Sequence, residues 1–283
     1  MSTPSFTVLG AGGRIGAALV AALRPTEAVQ AVDRDGLAAF LASDAPAGHV
    51  ISCIGLTGDF RARRLETAQA HVGLTARILA MRGFASFLYL SSTRVYAHAA
   101  STREDARLVA DPTDPSDLYN LSKLTGEALC LSDPRPGVRV VRLSNVHDGE
   151  PDPDTFLGQV IQEGRNSGRV MLRQGPGSAK DYVARADVVA LLPRIATTGR
   201  HRLYNLARGA NVSHAANAAA LRARHGWDVW FAPDAPEVTF PPIDITRLRE
   251  DFAPSLSDLL PGLATMASGQ EAPCSPSMKR VVA

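Results

Sequence analysis

The sequence predicts an α/β fold, a doubly wound parallel sheet with a smaller mixed region attached late in the chain. Three observations carry this. Short apolar runs alternate with helical patterns through the first half, as crossover helices between parallel strands require. A glycine-rich turn, Gly10 to Gly16, joins the first apolar run to the first helical pattern. After Asn145 the texture changes to Gly, Pro and Asp, followed by further helices and the aromatic cluster Trp227, Trp230 and Phe231.

The elements follow in order. Residues 6–9 read as a strand, and 15–23 as a helix that Pro25 stops. Residues 29–32 and 50–54 are the second and third strands, with a long helical stretch over 61–81. Residues 87–90 are the next strand, before a polar loop containing Pro112 and Pro115. Residues 118–131 are helical and 138–143 β-rich. Beyond them, 156–163 form an amphipathic helix, 187–196 a helix, and 202–206 a returning strand. The expected organisation is a dinucleotide-binding domain over 1–148 with 181–207, a substrate-binding region over 149–180 with 208–267, and a disordered tail from 268 to 283.

Composition excludes several classes. The chain has 283 residues, enough for one large domain or two closely packed ones. Thirty basic against 28 acidic residues leave a net charge of +2 without a basic stripe, which argues against a nucleic-acid partner. No apolar run reaches about 18 residues, so no membrane span is expected. The N-terminus lacks signal-peptide character, and Cys53, Cys130 and Cys274 lack disulfide or metal-ligand spacing; the expected compartment is the cytoplasm, with no metal site. Only Lys123, Lys180 and Lys279 among the thirty basic residues are lysines. GC-rich codon usage explains the shortage but not where the survivors sit.

Two local patterns carry chemistry. A glycine turn between a strand and a helix suits a dinucleotide pyrophosphate, because glycine permits close backbone approach and the helix start supplies amide donors. Glycines at 10, 13 and 16 fit a three-residue spacing, since Ile15 occupies the third position of the commoner fingerprint. Gly10, Gly12, Gly13, Arg14, Ile15 and Gly16 are therefore candidate cofactor contacts. Asp33, 23 residues after Gly10, can accept both ribose hydroxyls and favours NAD, whereas the adjacent Arg34 could pair with the 2′-phosphate of NADP. In Tyr119-Asn-Leu-Ser-Lys123 a tyrosine and a lysine share one helix face. An ammonium beside a phenol favours the phenolate, making the tyrosine usable as acid or base. Ser91-Ser92-Thr93-Arg94-Val95-Tyr96 follows a strand, where hydroxyls face the crevice in which such sheets bind ligands.

Glycines at 10, 13 and 16, Ser-Ser-x-x-Val-Tyr at 91–96 and Tyr-x-x-x-Lys at 119–123 resemble the extended short-chain dehydrogenase/reductases. The branch most similar is the NAD-dependent nucleotide-sugar epimerase/dehydratase group. Weaker echoes are Arg142-Leu-Ser-Asn145, residues 180–187 and residues 203–206. The resemblance implies a Rossmann fold and roles by position. Tyr119 would be the proton donor or acceptor, Lys123 would hold the nicotinamide ribose and depress the tyrosine pKa, and Ser92, helped by Thr93, would polarise the reacting oxygen. Gly55 would lie along the cofactor. Asn145 would sit near the substrate, and Lys180, Arg185 and Arg173 would supply cations for its diphosphate. Helices 61–82 and 118–131 would pair in a homodimer.

Departures from the family pattern narrow the reaction. The 4,6-dehydratases carry an acidic pair after the catalytic hydroxyl, where this chain has Thr93 and Arg94. A guanidinium cannot act as the base, so dehydration is disfavoured and plain hydride transfer remains. Only sixteen residues separate Asp33 from Val50, too few for the usual helix and edge strand, so that strand is expected to be missing or vestigial. The leading expectation is an enzyme using NAD, or NADP, on a nucleotide-linked sugar, as an epimerase or a ketoreductase. Two alternatives stand beside it: a reductase or dehydrogenase of a non-sugar ketone or alcohol, with the aromatic cluster as its pocket, and a non-catalytic cofactor-binding regulator.

Overall fold

The computed structural model describes residues 5–56, 58–81, 83–148, 155–260 and 263. The expected tail, with Lys279 and Cys274, lies outside them. Strand β1 (Phe6–Leu9) leads through the glycine turn into α1 (Arg14–Leu23), β2 (Val29–Val32), α2 (Leu37–Leu41) and β3 (Gly48–Ser52). Helices α3 (Arg64–Ala68) and α4 (Leu74–Ala80) then lead to β4 (Phe84–Ser92), α5 (Leu118–Ser132) and β5 (Val138–Leu143). Next come β6 (Asn145–His147), α6 (Phe156–Ser167), β7 (Arg169–Leu172), β8 (Ala179–Ala184), α7 (Arg185–Thr198) and β9 (Leu203–Leu206). The described chain closes with β10 (Asn211–Ser213), α8 (His214–His225), β11 (Asp228–Phe231) and α9 (Thr246–Phe252).

Six strands form one parallel sheet in the order β2-β1-β3-β4-β5-β9. Its strands alternate between two cores because successive side chains point to opposite faces. Val8, Ile51, Leu88 and Val141 meet Leu19, Val188 and Leu192 on one side, whereas Leu9, Val50, Phe87 and Val140 meet Leu74 and Ile78 on the other. The direction of winding reverses between β1 and β3, so the crevice beyond their carboxyl ends is where such a sheet receives a ligand. The fold is the Rossmann type expected, with a mixed smaller region.

Two features refine that expectation. No described residue pairs outside β2, which is the sheet edge, so the missing strand is indeed absent among the described residues. The helix expected over 61–81 starts at Arg64 and is interrupted by a π-turn, Gln69–Gly73. Wide turns of this kind rotate side chains out of helical register and recur near functional sites.

The smaller region holds two short sheets, β10-β8-β6 and β11-β7. Trp227 belongs to its core. Its ring covers Gly164 so closely that a Cβ there would fall 2.2 Å from ring carbons. Trp230 lies under the Arg169 guanidinium, 5.1 Å from the ring centroid. No helix among the described residues is long and apolar enough to cross a membrane.

Candidate active site

A cavity of about 600 Å³ opens where the carboxyl ends of β1, β3, β4 and β5 face the smaller sheet of β6 and β8. The glycine turn forms one end. Gly10 adopts φ +77° and returns its N–H to Val32 O, while Gly16 packs so tightly that a Cβ would lie 2.2 Å from Gly10 O. No side chain caps α1, and Gly13, Arg14 and Ile15 line the cavity, so an anion can serve where a cap is missing. This cradle suits a dinucleotide pyrophosphate. Gly10, Gly12 and Gly16 shape the turn without lining the cavity. Asp33 and Arg34 are exposed just beyond β2, with Asp33 Oδ1 accepting the Gly36 N–H at 3.0 Å.

Tyr119 and Lys123 lie on the first turns of α5, both buried, with Ser92 and Thr93 facing them from the end of β4. Burial raises the Tyr119 pKa, opposed by the neighbouring Ser92 hydroxyl and by the charge of Arg94. Lys123 Nζ donates to Leu90 O at 2.9 Å and lies 5.8 Å from the Tyr119 ring centroid. Burial pulls its pKa down to about 7, with Glu127 opposing. Arg94, 6.0 Å from the same ring centroid, is a second positive charge that favours a Tyr119 phenolate.

Gly55 completes the inner wall. A Cβ added there would stand 3.4 Å from both Lys123 Nζ and His71 Nε2. His71 is fully buried and edge-on to Tyr119, with ring centroids 5.4 Å apart. Its Nε2 accepts the Leu56 N–H at 3.3 Å, so Nδ1 carries the proton and donates to Ser122 Oγ at 2.8 Å. Desolvation, then the charge of Lys123, holds its pKa near 3, so the ring stays neutral. The π-turn places His71 here, and neither the spacing nor the composition singles it out. Phe60, tilted on Tyr119 at 5.4 Å, is a second residue without a sequence signal.

The opposite wall comes from the smaller region. Asn145 lines the cavity and donates to Asp181 O at 2.8 Å. Lys180 faces the cavity with its Nζ 5.3 Å from the Phe156 ring centroid, and burial, then Arg94, lowers its pKa. Arg185 meets Asp148 at 2.9 Å, and the same carboxylate receives Arg14 at 2.7 Å, which ties the start of α7 to the glycine turn. Arg173 is exposed and does not line the cavity. Trp227 and Trp230 are absent from the lining as well.

A glycine cradle and a Ser-Tyr-Lys group thus share one crevice. The sequence model of the NAD dependent epimerase/dehydratase family matches residues 6–207. The chain belongs to this family. No curated protein matches it by sequence. MoeE5, solved in complex with UDP-glucose and NAD, is similar with 22% identity and a TM-score of 0.76 over 93% of this chain and 97% of its own. TunA, an NAD-dependent NDP-hexosamine 5,6-dehydratase involved in tunicamycin biosynthesis, is 18% identical with a TM-score of 0.78, covering 92% and 96%. The UDP-glucuronic acid 4-epimerase of Bacillus cereus, solved with UDP-glucuronic acid and NAD, is 17% identical with a TM-score of 0.73, covering 93% and 97%. At these identities the likeness establishes the fold.

Proposed function

We propose that the protein transfers hydride between NAD, or NADP, and a carbon of a nucleotide-linked sugar, acting as an epimerase or a ketoreductase. The observation that carries this reading is the convergence of Ser92, Tyr119 and Lys123 in the same cavity as the uncapped glycine turn. Gly13, Arg14 and Ile15 would hold the pyrophosphate, Lys123 the ribose beside the nicotinamide, and Gly55 would let the cofactor pass the inner wall. A bound nicotinamide supplies the hydride acceptor and donor. Tyr119 moves the proton at the reacting oxygen, and Ser92 beside it orients that oxygen. His71 keeps Ser122 and the Gly55 loop in place without exchanging a proton, because its ring stays neutral.

Among the described residues no unengaged carboxylate lines the cavity to serve as the base of a 4,6-dehydration. The carboxylates lining the cavity are Asp148, held by two arginines, and Asp181, held by the N–H groups of Arg208, Gly209 and Ala210. Of the tryptophans that favoured a non-sugar ketone or alcohol, Trp227 packs on the core of the smaller region and Trp230 lies under Arg169, and neither lines the cavity.

The first test is to denature the purified protein and identify released cofactor and nucleotide-sugar by mass. Retained NAD marks the epimerase, and net consumption of NADH or NADPH the reductase. Recovery of neither ligand, with no binding of NAD(H) or NADP(H) in titration, overturns the proposal. Tyr119→Phe is expected to lower kcat by about 10²–10⁴-fold while cofactor binding survives; undiminished activity would instead support a binding-only regulator.

The proposal includes a homodimer through α3, α4 and α5. Leu65 on α3 is 84% exposed, an unusual place for a leucine unless a partner covers it. Light scattering is expected to give twice the chain mass, reverting to one for Leu65→Asp.

A further inference from the structure

The cavity carries more positive charge than its own carboxylates neutralise. Arg14, Arg94, Lys123, Lys180 and Arg185 line it, against Asp148 and Asp181. Asp148 is taken up by Arg14 and Arg185, and Asp181 by the N–H groups of residues 208–210. Arg94 differs from the other arginines of the cavity. Among the described residues it forms no ion pair, and its Nε is buried without a hydrogen-bond partner. Its backbone N–H donates to Ser92 Oγ at 3.2 Å, so the hydroxyl beside Tyr119 also fixes the turn carrying this guanidinium. The guanidinium stands 5.5 Å from the Phe60 ring centroid and 6.0 Å from that of Tyr119.

A guanidinium stays protonated, and burying its Nε without a partner forfeits part of its hydration. Such a group is compensated when an anion arrives. Its planar fork matches the two oxygens of a carboxylate, which a neutral sugar hydroxyl does not. The location says which anion. Arg14 and Arg185 stand at the starts of α1 and α7, and Lys180 on the opposite wall presents a point charge fit for phosphate. Arg94 stands at the reacting end, beside Ser92 and Tyr119, where the sugar ring must lie for its oxygen to reach the phenol.

We propose that Arg94 receives a carboxylate carried on the sugar ring, so that the substrate is a nucleotide-linked hexuronate in preference to a neutral hexose. The inference rests on the nucleotide-sugar reading above and narrows it. Arg94 thereby sets specificity at the position where dehydratases of the family place an acid.

Calorimetric titration with NAD present tests this on two matched pairs, UDP-glucuronate with UDP-glucose and GDP-mannuronate with GDP-mannose. The uronate of at least one pair is expected to bind at least about tenfold more tightly than its hexose. Arg94→Gln is expected to reduce that preference to about twofold or less by weakening the uronate alone, with NAD binding retained. Arg94→Lys, which keeps charge without the fork, is expected to fall between them and serves if the glutamine variant fails to fold. Equal binding of hexose and uronate, or a preference that survives Arg94→Gln, overturns the inference while leaving the nucleotide-sugar reading intact. If no member of either pair binds, both fall.

Discussion

At the scale of single residues, Lys123 is the most informative side chain. Its amine is buried with one carbonyl partner, and its pKa falls to about 7 against an ordinary value of 10.5. Below pH 7 the folded and unfolded chains both carry the charge, and the folded chain bears the full cost of burying it. Between pH 7 and 10.5 the unfolded chain holds a proton that the folded chain has released, so stability rises with pH across that window. Lys123→Met is therefore expected to raise Tm by several degrees at pH 6 and by less at pH 9, while abolishing activity; scanning calorimetry at the two pH values checks it. A stability gain equal at both values would show that the amine is not buried in its charged form. The opposite sign of effect on stability and on activity is what a functional lysine in an apolar wall requires.

At the scale of elements, the site depends on how α5 lies against β4 and β5. Gly126 lets the helix approach so closely that a Cβ would stand 2.5 Å from Tyr89 Oη and 2.8 Å from His71 O. The next residue, Glu127, joins Arg142 of β5 at 2.7 Å and accepts the Ser91 hydroxyl of β4, with both charged side chains almost wholly buried. Arg142 also donates to Tyr96 Oη, whose hydroxyl bonds Asn205 of β9. This buried chain fixes the spacing between the strand bearing Ser92 and the helix bearing Tyr119. Removing one charge from a buried pair costs about 3–5 kcal/mol, so Glu127→Gln is expected to lower the unfolding free energy measured by urea titration by that amount. A loss below about 1 kcal/mol would place the pair among the solvent-screened ones. The helical stretch expected over 61–81 runs from Arg64 to Ala80, and its π-turn went unread for a related reason. Apolar spacing reports which face is buried, whereas the π-turn at Gln69–Gly73 reflects contacts with α5 some fifty residues away.

At the scale of the whole molecule, Asp148 joins the two halves. It follows β6 and gathers Arg14 from the cofactor end and Arg185 from α7. A pyrophosphate arriving at α1 competes with this carboxylate for Arg14. Asp148→Asn is accordingly expected to tighten NAD binding several-fold in fluorescence titration, with a change in stability of about 1 kcal/mol or less because Arg14 is partly exposed. Weaker binding would mean that the carboxylate organises the arginines for the phosphate instead.

The sequence by itself determined the parallel sheet, the missing edge strand, the glycine turn and the Tyr119–Lys123 pair. Each is written in short spacings: a strand, turn and helix in succession, too few residues after Asp33, two side chains one turn apart. Tertiary structure decided the rest. It brought His71 beside Tyr119 and set Arg94 without a partner at the reacting end. It turned Lys123 toward a carbonyl, left Arg173 on the surface and committed Trp227 to packing. These outcomes depend on which distant elements share a wall and on how much water burial removes, and no local spacing records either.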